Sequence, residues 1–288
     1  MQIVTDRGAD LTPEQLSQLN FVHYAPMRLT LDGKTYSSGV DITEDEFYRL
    51  MDESPNFPTT SQATAGDIAA MYREIAAQGE EILSIHISSG LSGTMQSAKA
   101  AAEMVPEAKV TFWDTLTLSC PEGWQVQAAA QAILAGWPLE RITALLKQVR
   151  ARTVGMFTLN TLKYLIHGGR ISHLKGLLAS ILQIRPVITV EQVEGKYQTL
   201  AQERTIKRAL QTMAEKLLVS FPEGSALRVQ LLHARNLEAV EQLREFVSAR
   251  FVCTFEPVAR VSPILGAHAG PSLVGLSAGP LDLYQQIG

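Results

Sequence analysis

The first half of the chain alternates short apolar runs with stretches typical of helices. Residues 1–5 and 81–87 are apolar runs of strand length, whereas residues 95–103 and 138–150 have the pattern of helices. The nearly uninterrupted apolar character of residues 81–87 is typical of a parallel strand that is covered on both faces. The alternation predicts an α/β domain with a mainly parallel sheet and helices on both faces.

The pattern changes after about residue 160. Apolar runs at residues 185–190 and 197–201 flank the turn sequence Glu194-Gly195-Lys196, an arrangement typical of an antiparallel hairpin. We therefore predict a fold of two α/β domains. Residues 1–160 form the N-terminal domain with the parallel sheet, and residues 161–288 form a C-terminal domain with a mixed sheet.

A polar turn follows the apolar run 81–87 directly. Residues 88–94 contain two glycines and four hydroxyl side chains, and a predicted helix begins immediately after them. A strand-to-helix turn directs backbone N–H groups and hydroxyls toward one point, and the helix N-terminus adds a partial positive charge. Ser92, Gly93 and Thr94 are therefore candidate ligands of a carboxylate or a phosphate.

A second hydroxyl-rich stretch precedes this turn. Thr60 and Ser61 lie in a predicted loop, and one strand–loop–helix–strand passage separates Thr60 from Ser92. Both stretches can therefore reach the same edge of a parallel sheet, although helix capping explains Thr60 and Ser61 equally well. For Asp6 and Asp10, which follow the first strand, turn and capping chemistry is favoured over ligand binding.

Two further polar stretches occur in the second half. Gly168 and Gly169 precede Arg170, and such a shaped backbone favours a functional arginine as much as a surface one. His268 lies in a stretch rich in glycine and small residues, whereas His86, in an apolar strand, is interpreted as a core histidine. Together the hydroxyls, the guanidinium and the imidazole can bind an anion, but they offer almost no acid/base pair.

Composition narrows the classes of function. The chain has 288 residues, is 46% hydrophobic and carries a net charge of −4, which argues against a nucleic-acid-binding surface. Cys120 and Cys253 lie in neither a metal-ligand spacing nor a disulfide framework, which favours a reducing, cytoplasmic compartment. We expect no metal and no cofactor, because the sequence has no metal-ligand spacing and no nucleotide-binding glycine signature. We expect no integral membrane association, because it has no signal segment and no apolar run of membrane-spanning length.

A serine hydrolase is the enzymatic alternative. A nucleophile elbow requires Gly-x-Ser-x-Gly, but Thr94 occupies the position of the second glycine after Gly90. Ser92 and His268 remain a candidate dyad for an esterase or thioesterase, without an obvious acidic partner. The glycine signatures of phosphate-binding and dinucleotide-binding loops do not occur in the sequence. A regulatory binder of another small anion is a further alternative.

A group of basic residues precedes and opens a helix in the second half. We call Arg204, Lys207 and Arg208 the basic cluster. A solvated helix face is the common role of such a group, and a docking patch for an acidic partner is the alternative.

Many of these residues also match the motifs of a known family. The chain resembles the DegV family, whose characterised members are the fatty-acid-binding subunits of bacterial fatty acid kinase. The resemblance extends over nearly the whole chain, and the motifs are specific in their order. They occupy residues 3–6, 9–11, 60–62, 89–94, 96–98, 162–165, 168–172, 186–188 and 266–271.

The resemblance implies that a long-chain fatty acid is buried between the two α/β domains. Thr60 and Ser92 match the family's head-group positions and would bind the carboxylate, with His268 and Arg170 at nearby motif positions. Such proteins are carriers without catalysis of their own. They present the carboxylate to a separate ATP-dependent kinase, which forms an acyl phosphate for phospholipid synthesis. The basic cluster would then dock the kinase.

The chain also departs from the family pattern. Arg7-Gly8 replaces a serine-threonine pair, Ala63-Thr64 replaces proline-serine, Asp114-Thr115 replaces aspartate-serine, and Ser272 replaces a glycine. None of these changes removes a head-group residue. They bear on the preferred acyl chain and on partner recognition, which the sequence leaves open.

Overall fold

The computed structural model describes residues 1–17, 19–172, 174 and 184–285. The sequence also predicts an apolar helix over residues 174–182, which lies outside the described residues except for Leu174. Among the helices of the described part of the chain, none is both long enough and apolar enough to cross a membrane.

The described residues alternate strands and helices up to about residue 160, and antiparallel strand pairs follow. In chain order the elements are β1 (Gln2–Asp6), α1 (Pro13–Leu16), β2 (Val22–Ala25), β3 (Arg28–Leu31), β4 (Lys34–Ser37), α2 (Glu44–Glu53), β5 (Thr59–Ser61), α3 (Ala65–Ala77), β6 (Ile82–His86), α4 (Thr94–Glu103), β7 (Val110–Asp114), α5 (Cys120–Leu134), α6 (Leu139–Arg152), β8 (Val154–Thr158), α7 (Lys163–His167), β9 (Arg185–Val190), β10 (Tyr197–Glu203), α8 (Ile206–Leu217), β11 (Ala226–His233), α9 (Leu237–Ser248), β12 (Val252–Phe255), β13 (Ala259–Arg260), α10 (Pro263–Ala269), β14 (Val274–Pro280) and α11 (Leu281–Gln285).

A parallel sheet in the order β2-β1-β6-β7 forms the centre of the N-terminal domain, as the sequence predicts. Neighbouring residues of β1 point to opposite faces of this sheet. Ile3 packs into the apolar cluster that contains side chains of α5 and α6, and Val4 packs into the cluster of α3 and α4. Helices therefore cover both faces, which explains the continuous apolar character of the strands.

A small antiparallel sheet in the order β4-β3-β5 lies beside the parallel sheet. Its hairpin turns at Asp32 and Gly33, which both have positive φ as a tight two-residue turn requires. Thr60 belongs to β5 and pairs with Leu29. The prediction that Thr60 lies in a loop is therefore wrong, because its backbone is hydrogen-bonded in this small antiparallel sheet.

A mixed sheet in the order β10-β9-β8-β14-β11-β12 forms the centre of the C-terminal domain, with β13 also paired to β11. β12 and β13 run parallel to β11, and the remaining pairs are antiparallel, including the predicted β9–β10 hairpin. β8 hydrogen-bonds to β9 and β14. The mixed sheet of the C-terminal domain therefore begins at Val154, ahead of the predicted domain boundary at residue 160.

Local capping follows the sequence closely at the first helix. The Thr12 hydroxyl accepts a hydrogen bond from the Gln15 backbone, and the Gln15 side chain accepts one from the Thr12 backbone. These two bonds form a capping box, which the sequence Thr12-Pro13-Glu14-Gln15 predicts, with Pro13 at the start of the helix. It fixes the end of the loop at residues 7–10, which contacts both domains.

Candidate functional site

A cavity lined by both polar and apolar side chains lies where the small sheet, the turn 88–94 and α10 meet. Five predicted site residues from four separate segments line it. We call this cavity the head pocket. Its lining residues are Met27, Thr60, Ser61, Gln62, Ile87, Leu91, Ser92, Arg170, Tyr197, Ile264, Leu265 and His268.

Thr60 and His268 form a hydrogen bond across the head pocket, with 2.7 Å between Oγ1 and Nε2. The imidazole Nδ1 is buried without a hydrogen-bond partner among the described residues. Because an unpaired acceptor is tolerated better than an unpaired N–H, we assign the proton to Nε2, which donates to Thr60. The hydroxyl hydrogen of Thr60 is then available to an anion in the pocket.

His268 is neutral at physiological pH. Its burial, together with the charge of Arg170, lowers the pKa of the imidazole to about 4. Burial disfavours the imidazolium because the charged ring loses its hydration, and a nearby guanidinium repels it. His268 therefore orients Thr60 as a neutral donor, and Arg170 supplies the positive charge of the pocket.

Gly168 allows the close approach of the Arg170 segment to His268. A Cβ at position 168 would lie only 2.1 Å from Nδ1 of His268, so no larger residue fits without displacing the ring. Gly169 has a φ of +75°, in the left-handed region. Arg170 folds back and donates from Nη1 to the Gly168 carbonyl at 2.6 Å. The two glycines therefore position the guanidinium at the pocket.

Ser92 presents its hydroxyl just before α4. Its Oγ lies 2.9 Å from Thr94 Oγ1 and accepts a hydrogen bond from the Thr94 backbone. Thr94 is fully buried and does not line the head pocket, and Gly93 lines a neighbouring groove that shares Ser92 with it. Thr94 therefore supports Ser92, and Gly93 is the N-cap of α4. Direct binding of the anion by Gly93 or Thr94 stays a prediction.

The structure does not present Ser92 and His268 as a catalytic dyad. Among the described residues, Ser92 hydrogen-bonds to Thr94, and His268 hydrogen-bonds to Thr60 rather than to Ser92. A neutral imidazole with a pKa of about 4 is also a weak general base. The arrangement therefore suits anion binding better than hydrolysis.

A second, mostly apolar cavity lies between the two domains, next to the head pocket. Tyr197 and Leu265 line both cavities, so the two adjoin at these side chains. We call this second cavity the tail cavity. Its lining residues are Thr117, Leu118, Ser119, Pro121, Gly155, Met156, Phe157, Thr189, Val190, Tyr197, Leu232, Val261, Leu265, Ala269, Leu273 and Leu276.

Tyr197 stands at the junction of the two cavities. Its ring packs edge-to-face on Phe157, with 5.6 Å between the ring centroids. Burial raises the pKa of its phenol to about 12 against the opposing charge of Arg170, so the side chain is neutral. Sequence reasoning missed Tyr197, because only the pairing of β9 with β10 brings the start of β10 to the site.

The β9–β10 hairpin also contacts the turn that carries Ser92. The Ser88 hydroxyl donates to the Gly195 carbonyl at 2.7 Å. A Cβ on Gly90 would lie 2.2 Å from the Glu194 carbonyl oxygen, so the turn requires glycine there. We call these contacts the hairpin clasp, and they join the two domains beside the head pocket.

Comparison with known proteins agrees with this architecture. The sequence model described as "Uncharacterised protein, DegV family" matches residues 1–280. The chain belongs to the DegV family. A DegV domain-containing protein of Staphylococcus aureus (strain MRSA252) is 32% identical over 274 residues, which cover 95% of this chain and 96% of the relative.

Solved structures of DegV proteins share the fold. A DegV family protein from Thermus thermophilus, described for its fatty acid binding, has a TM-score of 0.85 and 30% identity, covering 97% of this chain and 99% of its own. A stearic-acid-binding protein from Eubacterium ventriosum has a TM-score of 0.84 and 25% identity, covering 99% and 100%. A two-domain α/β fold, with a parallel N-terminal and a mixed C-terminal sheet, is therefore common to them.

Asp6, the last residue of β1, and Asp10, in the loop that follows, lie outside the lining of both cavities. Asp6 accepts hydrogen bonds from the backbone of Gly8 and Ile87 and lies 3.0 Å from Nδ1 of His86. His86 is fully buried and also contacts Ser84, which confirms its assignment as a core histidine. Asp10 bonds to Ser119 and Ser262, the N-cap residues of α5 and α10, so its role is structural rather than that of a direct ligand.

The basic cluster lies away from the head pocket. It follows β10, whose first residue is Tyr197, and Arg204 comes seven residues after Tyr197, about 23 Å along an extended strand. Arg208 forms an ion pair with Glu215 at 3.2 Å, which reduces the net charge of the cluster. Docking of a partner on Arg204, Lys207 and Arg208 stays a prediction.

Proposed function

We propose that this protein binds a long-chain fatty acid, with the carboxylate in the head pocket and the acyl chain in the tail cavity. The observation that carries the proposal is that a cavity with a guanidinium and hydroxyl side chains adjoins a mostly apolar cavity at Tyr197 and Leu265. An amphiphile with one anionic end and a long apolar body matches this pair of cavities.

The head pocket can compensate a carboxylate for the loss of its hydration. A buried carboxylate needs hydrogen-bond donors and positive charge, because an unpaired buried charge costs several kcal/mol. Thr60 and Ser92 offer hydroxyl donors, Ser61 lies beside Thr60, and Arg170 offers a guanidinium. His268 supports Thr60 through the 2.7 Å contact.

The tail cavity supplies the larger part of the binding free energy. Burial of each methylene contributes about 0.8 kcal/mol, so an acyl chain gains more with each carbon that the cavity covers. Met156, Leu232, Leu273 and Leu276 offer apolar walls from the C-terminal domain. The related proteins described as fatty-acid-binding and stearic-acid-binding support this assignment.

We further propose that the protein is a carrier rather than an enzyme. The carboxylate would lie at the more exposed end, near Ser61 and Gln62, where a separate ATP-dependent fatty acid kinase can reach it. The kinase would form an acyl phosphate for phospholipid synthesis in the cytoplasm, and the basic cluster is the proposed docking face. The sequence itself carries no glycine-rich phosphate-binding loop for such a transfer.

A substitution in the turn tests this function. Ser92→Ala removes a proposed carboxylate donor, so fatty acid affinity and kinase-dependent phosphorylation should both fall. Ser89→Ala is the matched control, because Ser89 is exposed in the same turn and does not line the head pocket. Equal affinity and equal phosphorylation in the Ser92→Ala and Ser89→Ala variants would contradict the site. Turnover of an activated ester by the protein alone, lost in Ser92→Ala, would favour the esterase alternative.

A further inference from the structure

The loop between β1 and α1 ties together two walls of the ligand cavities. Asp10 accepts a hydrogen bond from the Ser119 hydroxyl at 2.6 Å and another from the Ser262 backbone N–H at 2.8 Å. The same loop accepts two more bonds through its carbonyls: Ser119 N donates to Gly8 at 2.6 Å, and the Ser262 hydroxyl donates to Arg7 at 2.7 Å.

Both serines belong to the ligand site. Ser119 lines the tail cavity and immediately precedes α5. Ser262 is the N-cap of α10, the helix that carries Leu265 and His268 into the cavities. A change at Asp10 is therefore transmitted to a wall of the tail cavity and to the helix that orients Thr60.

The backbone at this junction is held in an unfavourable conformation. Asp10 has a φ of +42° and Ser119 a φ of +58°, both in the left-handed region that residues with a Cβ rarely adopt. Such conformations persist only where surrounding contacts enforce them. The hydrogen bonds between these segments are those contacts, so the closed junction depends on them.

Asp10 is buried among charged and titratable groups, and desolvation is the largest influence on its titration. The charged and titratable groups around it come from several elements: Asp6 of β1, Arg7 of the same loop, Tyr24 of β2, Glu44 and Tyr48 of α2, Cys120 and Glu122 of α5, Arg228 of β11 and Arg260 of β13. In the described part of the chain, neither Asp10 nor Glu122 forms an ion pair, and no three acidic, histidine or cysteine side chains are arranged to hold a metal ion. Burial in this setting raises the pKa of Asp10 to about 7, against the opposing effect of its bonds to Ser119 and Ser262.

We propose that Asp10 is a positioning residue of the fatty acid site, whose protonated form holds the walls at Ser119 and Ser262 closed and whose ionised form favours their separation and ligand release. This inference rests on the proposed fatty acid binding. A protonated carboxyl can donate to the Ser119 hydroxyl and still accept from Ser262, so both contacts survive without a buried charge. An ionised carboxyl gains hydration when the walls separate, which drives opening.

The direction of the pH dependence follows from linkage. A carboxyl with a pKa of about 7 in the closed form and an ordinary value near 3.8 when hydrated binds more protons in the closed form between these two values. Opening therefore becomes easier as pH rises toward 7, by at most about tenfold per pH unit for one proton, and levels off above it. The His268 pKa of about 4 leaves the imidazole neutral over the upper part of this window.

The test is the rate of release of cis-parinaric acid, a fluorescent long-chain fatty acid, measured by stopped-flow displacement from about pH 5.5 to about pH 8.5. Wild type should release faster as pH rises and reach a plateau above about pH 7. Asp10→Asn, which resembles the protonated acid, should release at the slow acid-limit rate with no dependence on pH. Glu122→Gln is the control: it lies in the same acidic cluster without contacting Ser262 and should keep the wild-type profile.

Two outcomes would overturn the proposal: a flat wild-type profile, or an Asp10→Asn variant with the wild-type profile. A ligand-free measurement separates these from a failure of the proposed function. The melting temperature of Asp10→Asn relative to wild type should increase as pH rises from about 4 to about 7, because only wild type then buries a growing charge. If the stability trend is present but cis-parinaric acid does not bind, the fatty acid assignment is contradicted. If the stability trend is absent, the role of Asp10 is contradicted.

Discussion

Thr60 and His268 lie 208 residues apart in sequence and are joined by a hydrogen bond of 2.7 Å. The contact connects β5 of the small sheet to α10, which precedes the last strand of the mixed sheet. It fixes the direction of the Thr60 hydroxyl, because the neutral imidazole donates to its oxygen. The anion site is therefore complete only when the two domains are in contact.

Thr60→Val removes this hydroxyl with little change in side-chain shape. Loss of one hydrogen bond to a charged group costs about 1.5–3 kcal/mol, so fatty acid affinity should fall roughly 10- to 150-fold. Thr59→Val is the control, because Thr59 is an exposed neighbour in the same strand and does not line the head pocket. Isothermal titration with a long-chain fatty acid measures both, and equal affinities would contradict the role of Thr60.

His268 should remain neutral throughout the physiological range. Its pKa of about 4 in the folded state lies below the ordinary value of 6.5, so the folded state binds fewer protons than the unfolded state between these values. The stability that its neutral form provides is present above pH 6.5 and is lost as pH falls toward 4. Imidazole proton resonances, assigned with a His268→Asn variant, should therefore show no titration above about pH 5.5. A titration near pH 6.5 would show that the ring is not desolvated.

Gly168→Ala should displace the His268 ring and so disrupt its hydrogen bond to Thr60 in the head pocket. The added Cβ would meet Nδ1 at 2.1 Å, so the imidazole must move away from Thr60 or the Arg170 segment must shift. Overpacking of this kind costs about 1–3 kcal/mol, and we expect a similar loss in fatty acid binding. Gly66→Ala, where the nearest atom lies 3.8 Å from the added Cβ, is the control. Binding titrations of both variants give the answer, and unchanged affinity in Gly168→Ala would refute the close packing.

Ser88→Ala should weaken the hairpin clasp. The variant leaves the Gly195 carbonyl without its 2.7 Å donor and deprives the Gly90 N–H of its acceptor. A buried polar group without a partner costs about 1–3 kcal/mol, so thermal stability should fall and the ligand should dissociate faster. Ser89→Ala serves again as the control in the same turn. If the two variants melt and release ligand alike, the clasp does not hold the domains together.

The sequence predicts the sheets and several site residues because local patterns determine them. The apolar run at residues 81–87 and the capping residues of α1 define their elements within a few positions. Thr60, Ser92, Arg170 and His268 were identified by chemistry and by family motifs, and the structure brings all four to one cavity.

The remaining features depend on contacts between distant segments. Tyr197 reaches the site only through the pairing of β9 with β10, and the hairpin clasp joins Ser88 to Gly195 across more than a hundred residues. The role of Thr94 as a support for Ser92 depends on its burial, which hydroxyl content alone does not indicate. The sequence shows glycines at positions 90 and 168, but only the structure shows which atoms approach them, the Glu194 carbonyl oxygen and His268 Nδ1.

The most direct test of the central claim is mass spectrometry of the organic extract from purified, denatured protein. The two adjoining cavities predict close to one long-chain fatty acid per chain, and its length and saturation would describe the tail cavity. Binding titration with the same fatty acid should then saturate at one site. An extract without fatty acid, from a protein that also fails to bind one in titration, would contradict the account.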